Sequence, residues 1–169
     1  MKKLLQNLKN GEISIIEAPD PLRLEEEYLI KTTKTLISTG TEKMMLQFGQ
    51  ANWFNKAKQQ PEKVKMVLEK LKSEGIASTF EAVMSRMNEP LEMGYCNVGV
   101  VLEGPKNGFK KGTRVVSNGG HSTCVTVNQN LVAAIPDDVT DEQAVFVVPS
   151  SIALQGIRLI KPEIGESFG

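Results

Sequence analysis

The chain has 169 residues, of which 40% are hydrophobic and 24% are charged, values typical of one globular domain with a real core. Lys and Arg together number 20 and balance 20 Asp and Glu, whereas a nucleic-acid-binding protein needs a surplus of clustered basic residues. The sequence has no run of about 18 apolar residues for a membrane span, and the apolar run after Lys3 stops at Gln6, so we expect no signal peptide. With only two cysteines, we expect a reduced, cytoplasmic protein.

The first stretch of the chain, to about Gln47, is predicted to form strands. Residues 12–16 alternate roughly between polar and apolar side chains. Residues 28–36 are rich in β-branched side chains, which favour strands. Pro19 and Pro21 predict a turn between the two segments, since proline fixes φ and lacks an N–H donor.

The second stretch, about residues 53–87, is predicted to be helical. Pro61 suits a first helical turn, and Gly75 is typical of a helix end. Ser78 precedes Glu81 by three residues, the spacing of a capping box at the start of another helix. Each helix has an apolar stripe that predicts packing rather than a cofactor site, formed by Val64, Val67, Leu68 and Leu71 in one and by Ile76, Phe80, Val83, Met84 and Met87 in the next.

The third stretch, from Leu91, is predicted to return to short strands separated by turns. The strand candidates are residues 98–102, 113–116, 124–127 and 131–135. Short strands at close, regular spacing indicate a barrel or sandwich rather than βαβ units. In the tail, Thr140 predicts a helix start, and residues 150–159 predict a further helix.

Five sequence motifs along these elements resemble the catalytic half of medium-chain dehydrogenases/reductases, the superfamily of zinc alcohol dehydrogenases and quinone reductases. The resemblance covers the chain except its helical stretch. The motifs are ISTGTE at 37–42, LEMGY with VGVV at 91–101, FKKGTRV at 109–115, VAAIPD at 132–137 and SIALQGIR at 151–158 with Gly165-Glu166.

A closer resemblance is to large bidomain oxidoreductases, in which such a half precedes a sugar- or inositol-dehydrogenase-like half. They share the Leu4-Leu5-Gln6-Asn7 start and a helical insertion before the Gly94-Tyr95 motif. This resemblance implies a substrate that is a sugar-derived alcohol or carbonyl.

The resemblance implies that residues 1–169 form a mainly β domain with helices, a GroES-like, partly open β-barrel. The helical insertion is expected at about residues 51–90. In the family a Rossmann domain that binds NAD or NADP follows, with a glycine-rich turn at a helix N-terminus. This chain contains no G-x-G-x-x-G, so we expect that domain after Gly169, with the chain end a boundary within a longer protein.

Zinc-dependent members of the family place a cysteine where this chain has Glu42 and a histidine where it has Tyr95. Tyrosine cannot replace imidazole as an ordinary zinc ligand, and Glu42 alone is not a site. The resemblance therefore implies a zinc-independent protein with no metal site.

A rival metal site can be drawn from His121, Cys124 and Cys96, which would supply one nitrogen and two sulfurs. The alternative is that His121 sits in a glycine-rich turn and that both thiols are buried in strands. Buried thiols are common, and the alternative is favoured.

Without zinc, hydride transfer needs hydrogen-bond donors that stabilise a developing alkoxide or enolate. By motif position, the resemblance implies Tyr95, Thr41 and Thr39 as donors. Glu42 would accept or donate a proton if burial favours its neutral form. The alternatives are a barrel-edge aromatic for Tyr95 and a solvated acid for Glu42.

Ser150 and Ser151 occupy the place from which the family approaches the nicotinamide ring. Their alternative role is helix capping, since serine is a favourable N-cap residue. The implied function is the substrate-binding and catalytic half of an NAD(P)-dependent oxidoreductase, inactive by itself. The alternative function is a non-enzymatic module that binds a partner protein through one of the two apolar helix stripes.

Overall fold

The computed structural model describes residues 1–167, so Phe168 and Gly169 at the end of the predicted domain lie outside the described residues. Within the helices, the side chains that it does not describe are those of Trp53, Glu74, Ala77, Arg86 and Met87. The chain divides into two compact units. The sheet unit comprises Met1, Pro19–Ile37 and the chain from Gly94 onward, and the helical unit comprises Lys2–Ala18 and Ser38–Met93.

The described part of the chain contains eight strands, six α-helices and a short 3-10 helix (Gln129–Leu131). The strands are β1 (Lys2–Asn7), β2 (Ile13–Glu17), β3 (Glu27–Thr35), β4 (Pro90–Glu92), β5 (Asn97–Glu103), β6 (Arg114–Ser117), β7 (Cys124–Asn128) and β8 (Val132–Ala134). The helices are α1 (Thr41–Gln50), α2 (Trp53–Gln59), α3 (Pro61–Glu74), α4 (Ile76–Asn88), α5 (Asp141–Ala144) and α6 (Val147–Ile160). No helix among residues 1–167 has both the length and the apolar character needed to cross a membrane.

The helical unit contains a three-stranded antiparallel sheet with the order β2-β1-β4 and the helices α1 to α4. Lys56 of α2 is buried, and its Nζ donates to the carbonyl oxygens of Leu8 and Lys9 at 2.7 and 2.9 Å. Burial lowers the pKa of this ammonium group. These two bonds satisfy backbone carbonyls of the β1–β2 turn and fix the turn to α2.

The sheet unit contains a curled, five-stranded antiparallel sheet with the order β7-β3-β5-β6-β8. Its two faces carry separate apolar clusters, because neighbouring residues of a strand point to opposite faces. Val115 belongs to the first cluster and Val116 to the second. The first cluster is Tyr28, Ile30, Val101, Val115, Val125 and Val127, and the second is Cys96, Val98, Val116, Ile135, Ala144 and Val145.

Most of the strands lie where the sequence predicts them, but the first stretch is not all strand. Residues 41–47 were expected before the helical part, yet they form most of α1. Glu, Lys, Met, Leu and Gln, which favour helices, dominate this segment, and no glycine or proline interrupts it before Gly49. The strand prediction is therefore wrong from Thr41 onward.

The helix-end predictions are confirmed at Pro61, Gly75 and Thr140. Pro61 is the first residue of α3, and Gly75 ends that helix with a φ of 87°. Thr140 forms a capping box with Gln143 at the start of α5. The capping box predicted at Ser78 is wrong, because α4 starts immediately after Gly75, and the Ser78 hydroxyl donates to the Gly75 carbonyl.

Packing of the two apolar stripes is only partly confirmed. In α3, Val64, Val67 and Leu71 are half-buried, but Leu68 is 54% exposed, so the packing prediction is wrong for Leu68. In α4, Ile76 and Phe80 are 80% and 65% exposed, so the packing prediction is wrong for them. Among the described side chains of this turn, Thr79 is buried, and its hydroxyl donates to the Gly75 carbonyl at 2.8 Å. Half-buried Val83 and Met84 continue the stripe, and the Met87 side chain lies outside the described residues.

Candidate functional site

Three of the predicted catalytic residues lie together at the start of α1 in the helical unit. Ser38 shapes this turn, because its Oγ accepts from the Thr41 N–H at 3.3 Å and its carbonyl accepts from the Glu42 N–H at 3.1 Å. Glu42 is 4% exposed, whereas Thr39 and Thr41 are exposed. The first turn of a helix favours a carboxylate, since unpaired N–H groups and the helix dipole point toward it.

Close packing against the β1–β2 hairpin fixes the position of α1. Gln6 of β1 is fully buried, and its Nε2 donates to the Met45 carbonyl at 3.1 Å. Gly49, one turn further on, faces Gly11 in the hairpin turn. A Cβ at position 49 would lie 2.3 Å from Gln6 Nε2 and 2.8 Å from Gly11 Cα. The helix that carries Glu42 therefore depends on a contact that only glycine permits.

Tyr95 lies in the sheet unit, directly after Gly94. It is half-buried and packs against the second apolar cluster, together with Leu36, Val139 and Val148. Gly94 has a φ of 89°, and a Cβ there would lie 2.7 Å from Cγ of His121. Glycine thus sets both the backbone turn and the space that direct Tyr95 onto the sheet.

Gly94→Ala is expected to lower the free energy of unfolding by about 2 kcal/mol, since a side chain at this φ strains the backbone and contacts His121. Chemical denaturation followed by circular dichroism measures the change. Gly112→Ala is the matched control, because Gly112 has a φ of 90° with no atom within 4 Å of a Cβ. Equal losses in the two variants would show that the His121 contact contributes nothing.

Ser150 and Ser151 lie in the sheet unit on α6, and both are exposed. The helix begins at Val147 after Phe146, so the alternative role of these serines as helix caps is wrong. Pro149 explains the earlier start, because proline lacks only an N–H that the first turn does not use. The Ser151 hydroxyl donates to the Val148 carbonyl at 2.7 Å. Val148 and Tyr95 pack on the same apolar cluster, so the start of α6 and Tyr95 share one side of the sheet unit.

The rival metal site is not formed. Cys96 and Cys124 are buried free thiols, and burial raises the pKa of Cys124. No group of three or more His, Cys, Asp and Glu side chains arranged to hold a metal ion occurs among residues 1–167. His121, Cys124 and Cys96 are therefore not brought together as ligands.

A cluster of polar residues that the sequence does not reveal joins α5 to the sheet. Asp141 accepts hydrogen bonds from Thr33 Oγ1 at 2.7 Å and from Arg114 Nη2 at 2.6 Å. Arg114 Nη2 also donates to the Val139 carbonyl at 2.8 Å. The bond from Thr33, with that from Arg114, lowers the pKa of Asp141. In the sequence Asp141 stands out only as a residue of a helix start, so its strand partners cannot be identified there.

Acid is expected to destabilise the chain partly through Asp141. The folded-state pKa of Asp141 lies below its unfolded value of about 3.9. The ionised carboxylate therefore adds to the free energy of unfolding above that pH, and this stabilisation is lost as the pH falls. Urea unfolding between about pH 5 and pH 3 should show a steeper loss for the wild type than for Asp141→Asn. Asp138→Asn, which changes an exposed carboxyl, should keep the wild-type slope. Identical slopes for the wild type and Asp141→Asn would contradict this role.

The chain is similar in structure to several solved oxidoreductases. Quinone oxidoreductase from Coxiella burnetii aligns with 98% of this chain and 47% of its own length, at a TM-score of 0.67 and 18% identity. Quinone oxidoreductase from Thermus thermophilus, also solved with NADPH, aligns with 98% of this chain and 43% of its own length, at a TM-score of 0.61 and 18% identity. Galactitol-1-phosphate dehydrogenase from Escherichia coli aligns with 95% of this chain and 45% of its own length, at a TM-score of 0.64 and 13% identity. The chain spans less than half the length of each.

No protein-family model and no curated protein matches the sequence. The likeness to solved structures, at identities below 20%, concerns the fold. It agrees with the curled antiparallel sheet, and it confirms the fold that the sequence motifs imply. The chain therefore has a GroES-like fold of the kind found in these oxidoreductases.

Proposed function

We propose that this chain is the substrate-binding and catalytic half of a zinc-independent, cytoplasmic NAD(P)-dependent oxidoreductase. The observation that carries the proposal is the exposure of α6. Nearly the whole length of this helix is exposed, although most of its residues are apolar. Exposed apolar area of this size is typical of an interaction surface. We propose that it is covered by a Rossmann domain that follows residue 169 in a longer polypeptide.

The proposed site residues have polar groups suited to hydride-transfer chemistry. We assign the Tyr95, Thr41 and Thr39 hydroxyls to donate hydrogen bonds to a developing oxyanion, and Glu42 to exchange a proton. Preorganised donors of this kind stabilise negative charge without a metal ion. Burial holds Glu42 in place within the helical unit, and packing on the second apolar cluster holds Tyr95 in place within the sheet unit.

The nicotinamide cofactor is proposed to meet this chain at Ser150 and Ser151. Both hydroxyls lie on an exposed helix, so a ring placed against α6 can reach them. The pyrophosphate has no glycine-rich turn in this chain, and the following domain would supply it. When bound, the cofactor supplies or accepts the hydride, and the residues of this chain position the substrate and its protons.

We propose a sugar-derived alcohol or carbonyl as the substrate. Support comes from the resemblance to bidomain oxidoreductases and from the structural likeness to galactitol-1-phosphate dehydrogenase.

A fluorescence titration with NADH and NADPH tests the proposal. The sample is a polypeptide extended past residue 169, and the 169-residue chain is the control. We expect saturable binding by the extended protein alone, and the tighter ligand names the cofactor. A folded extended protein that binds neither dinucleotide would contradict the oxidoreductase assignment.

The second candidate function is a non-enzymatic module that binds a partner protein, and the exposure of Ile76 and Phe80 on α4 favours it. These side chains lie one turn apart on one helix face, as in helix-in-groove recognition. The reading frame after residue 169 discriminates between the two functions. A strand and a glycine-rich turn there support the oxidoreductase, and a stop codon supports the module.

A further inference from the structure

Strand β2 is an open, apolar edge of the three-stranded sheet in the helical unit. It lies at the end of the order β2-β1-β4 and pairs with β1 alone. All five of its residues are exposed, and Ile15 at its centre is 71% exposed. An isoleucine-rich edge strand presents both unpaired backbone groups and apolar side chains to solvent.

The register with β1 shows which backbone groups of β2 point outward. The Asn7 N–H donates to the Glu12 carbonyl at 2.8 Å, immediately before the strand. In an antiparallel pair, hydrogen-bonded and non-hydrogen-bonded positions alternate. Ser14 and Ile16 therefore bond to β1, and the N–H and C=O groups of Ile13, Ile15 and Glu17 point away from it.

Three common protections of an edge strand are missing from β2. Native edges are commonly blocked by lysine, proline or a bulge. The segment ISIIE contains neither lysine nor proline, and its described register with β1 is continuous. The first prolines, Pro19 and Pro21, lie beyond the strand.

We propose that two copies of this chain associate by antiparallel pairing of β2 with β2. In the register centred on Ile15, this residue lies opposite Ile15 of the second copy, and Ile13 lies opposite Glu17 of the second copy. All three outward-pointing positions then form hydrogen-bonded pairs across the two-fold axis. A shift by two residues in either direction leaves one of these positions outside the paired segment.

The charges of the strand agree with a second copy as the partner. Glu17 faces an isoleucine in this register, and Glu12 faces Ala18 of the second copy, so no two carboxylates lie opposite each other. Ile15 against Ile15 provides an apolar contact at the centre, where it excludes water from the new hydrogen bonds. The strand is thus self-complementary in hydrogen bonding and charge.

Sedimentation velocity across a concentration series tests this pairing. We expect the 169-residue chain to form a dimer, and Ile15→Lys to raise its dissociation constant about 10-fold or more, because the central apolar pair is lost and two ammonium groups then lie opposite each other. Ile13→Lys is the matched control, since its new ammonium group faces Glu17 of the second copy, and it should stay within about threefold of the wild type. A wild type that remains monomeric at high concentration, or equal effects of the two substitutions, would overturn the proposal.

Disulfide cross-linking tests the register without a change of charge. Directly opposite, hydrogen-bonded residues have Cα atoms about 5.5 Å apart, within the range of about 4.4–6.8 Å that a disulfide spans. Ile15→Cys should therefore give a covalent dimer under mild oxidation, and Ile13→Cys should not. The native thiols of Cys96 and Cys124 are buried. Any cross-linking through them is measured on the wild type and subtracted as background. Equal cross-linking at both positions would show that strands do not pair in this register.

Discussion

Gly49→Ala is expected to lower the free energy of unfolding by about 3 kcal/mol, the upper part of the range for an overpacked core. The added Cβ would meet the Gln6 amide and the Gly11 backbone, and the backbone cannot rotate away as a side chain can. Relief requires α1 to move off the β1–β2 hairpin or Gln6 to give up its bond to the Met45 carbonyl. Urea denaturation followed by circular dichroism measures the loss.

Gly40→Ala separates this packing effect from the general effect of alanine in or near a helix. Gly40 precedes α1 with ordinary helical backbone angles, and no atom lies within 4 Å of a Cβ there. Its replacement should change the free energy of unfolding by less than about 1 kcal/mol. Similar losses for the two variants would mean that α1 does not depend on close contact with the hairpin.

Tyr95→Phe, in a polypeptide that also contains the proposed cofactor domain, is expected to lower kcat by about 100- to 1000-fold. The substitution keeps the ring that packs on the second apolar cluster and removes only the hydroxyl proposed to donate to the oxyanion. Cofactor affinity should therefore stay the same. Steady-state reduction of a carbonyl substrate, with NADH or NADPH as chosen by the titration, measures kcat and KM separately.

Tyr28→Phe is the matched control, because Tyr28 is the other tyrosine of the chain. Its hydroxyl accepts from the Phe109 N–H at 2.8 Å within the first apolar cluster. Loss of this bond should lower stability by about 1–2 kcal/mol and leave kcat unchanged. If Tyr95→Phe keeps full activity, the hydroxyl has a packing role and the proposed assignment of Tyr95 fails.

Local signals in the sequence predict element types well where the chain itself determines them. Pro61, Gly75 and Thr140 mark helix ends through their own backbone chemistry, and the structure confirms all three. Errors also occur where a local signal is overlooked. Helix α6 starts before Ser150 because Pro149 fits within its first turn, and the residue pattern alone places the start at the serine.

The residues of the candidate site likewise include some that sequence motifs identify and others that they do not. Motif position identifies Glu42 and Tyr95, and the structure places the first at a helix start and the second on an apolar cluster. The bonds from Thr33 and Arg114 to Asp141 are a different case. They join residues that lie far apart in the sequence, so no spacing rule identifies the set.

The interleaving of the two units sets the order in which the chain can fold during synthesis. The helical unit takes its last segment from Ser38–Met93, so it is complete before the sheet unit, which needs the chain from Gly94 onward. Strand β3 leaves the ribosome early, yet its partners β5 and β7 begin only at Asn97 and Cys124. At about 5–20 residues per second, β3 waits several seconds with Ile30 and Tyr28 uncovered. Synthesis of the helical segment between β3 and β5 thus delays the pairing of β3 with its neighbours in the sheet.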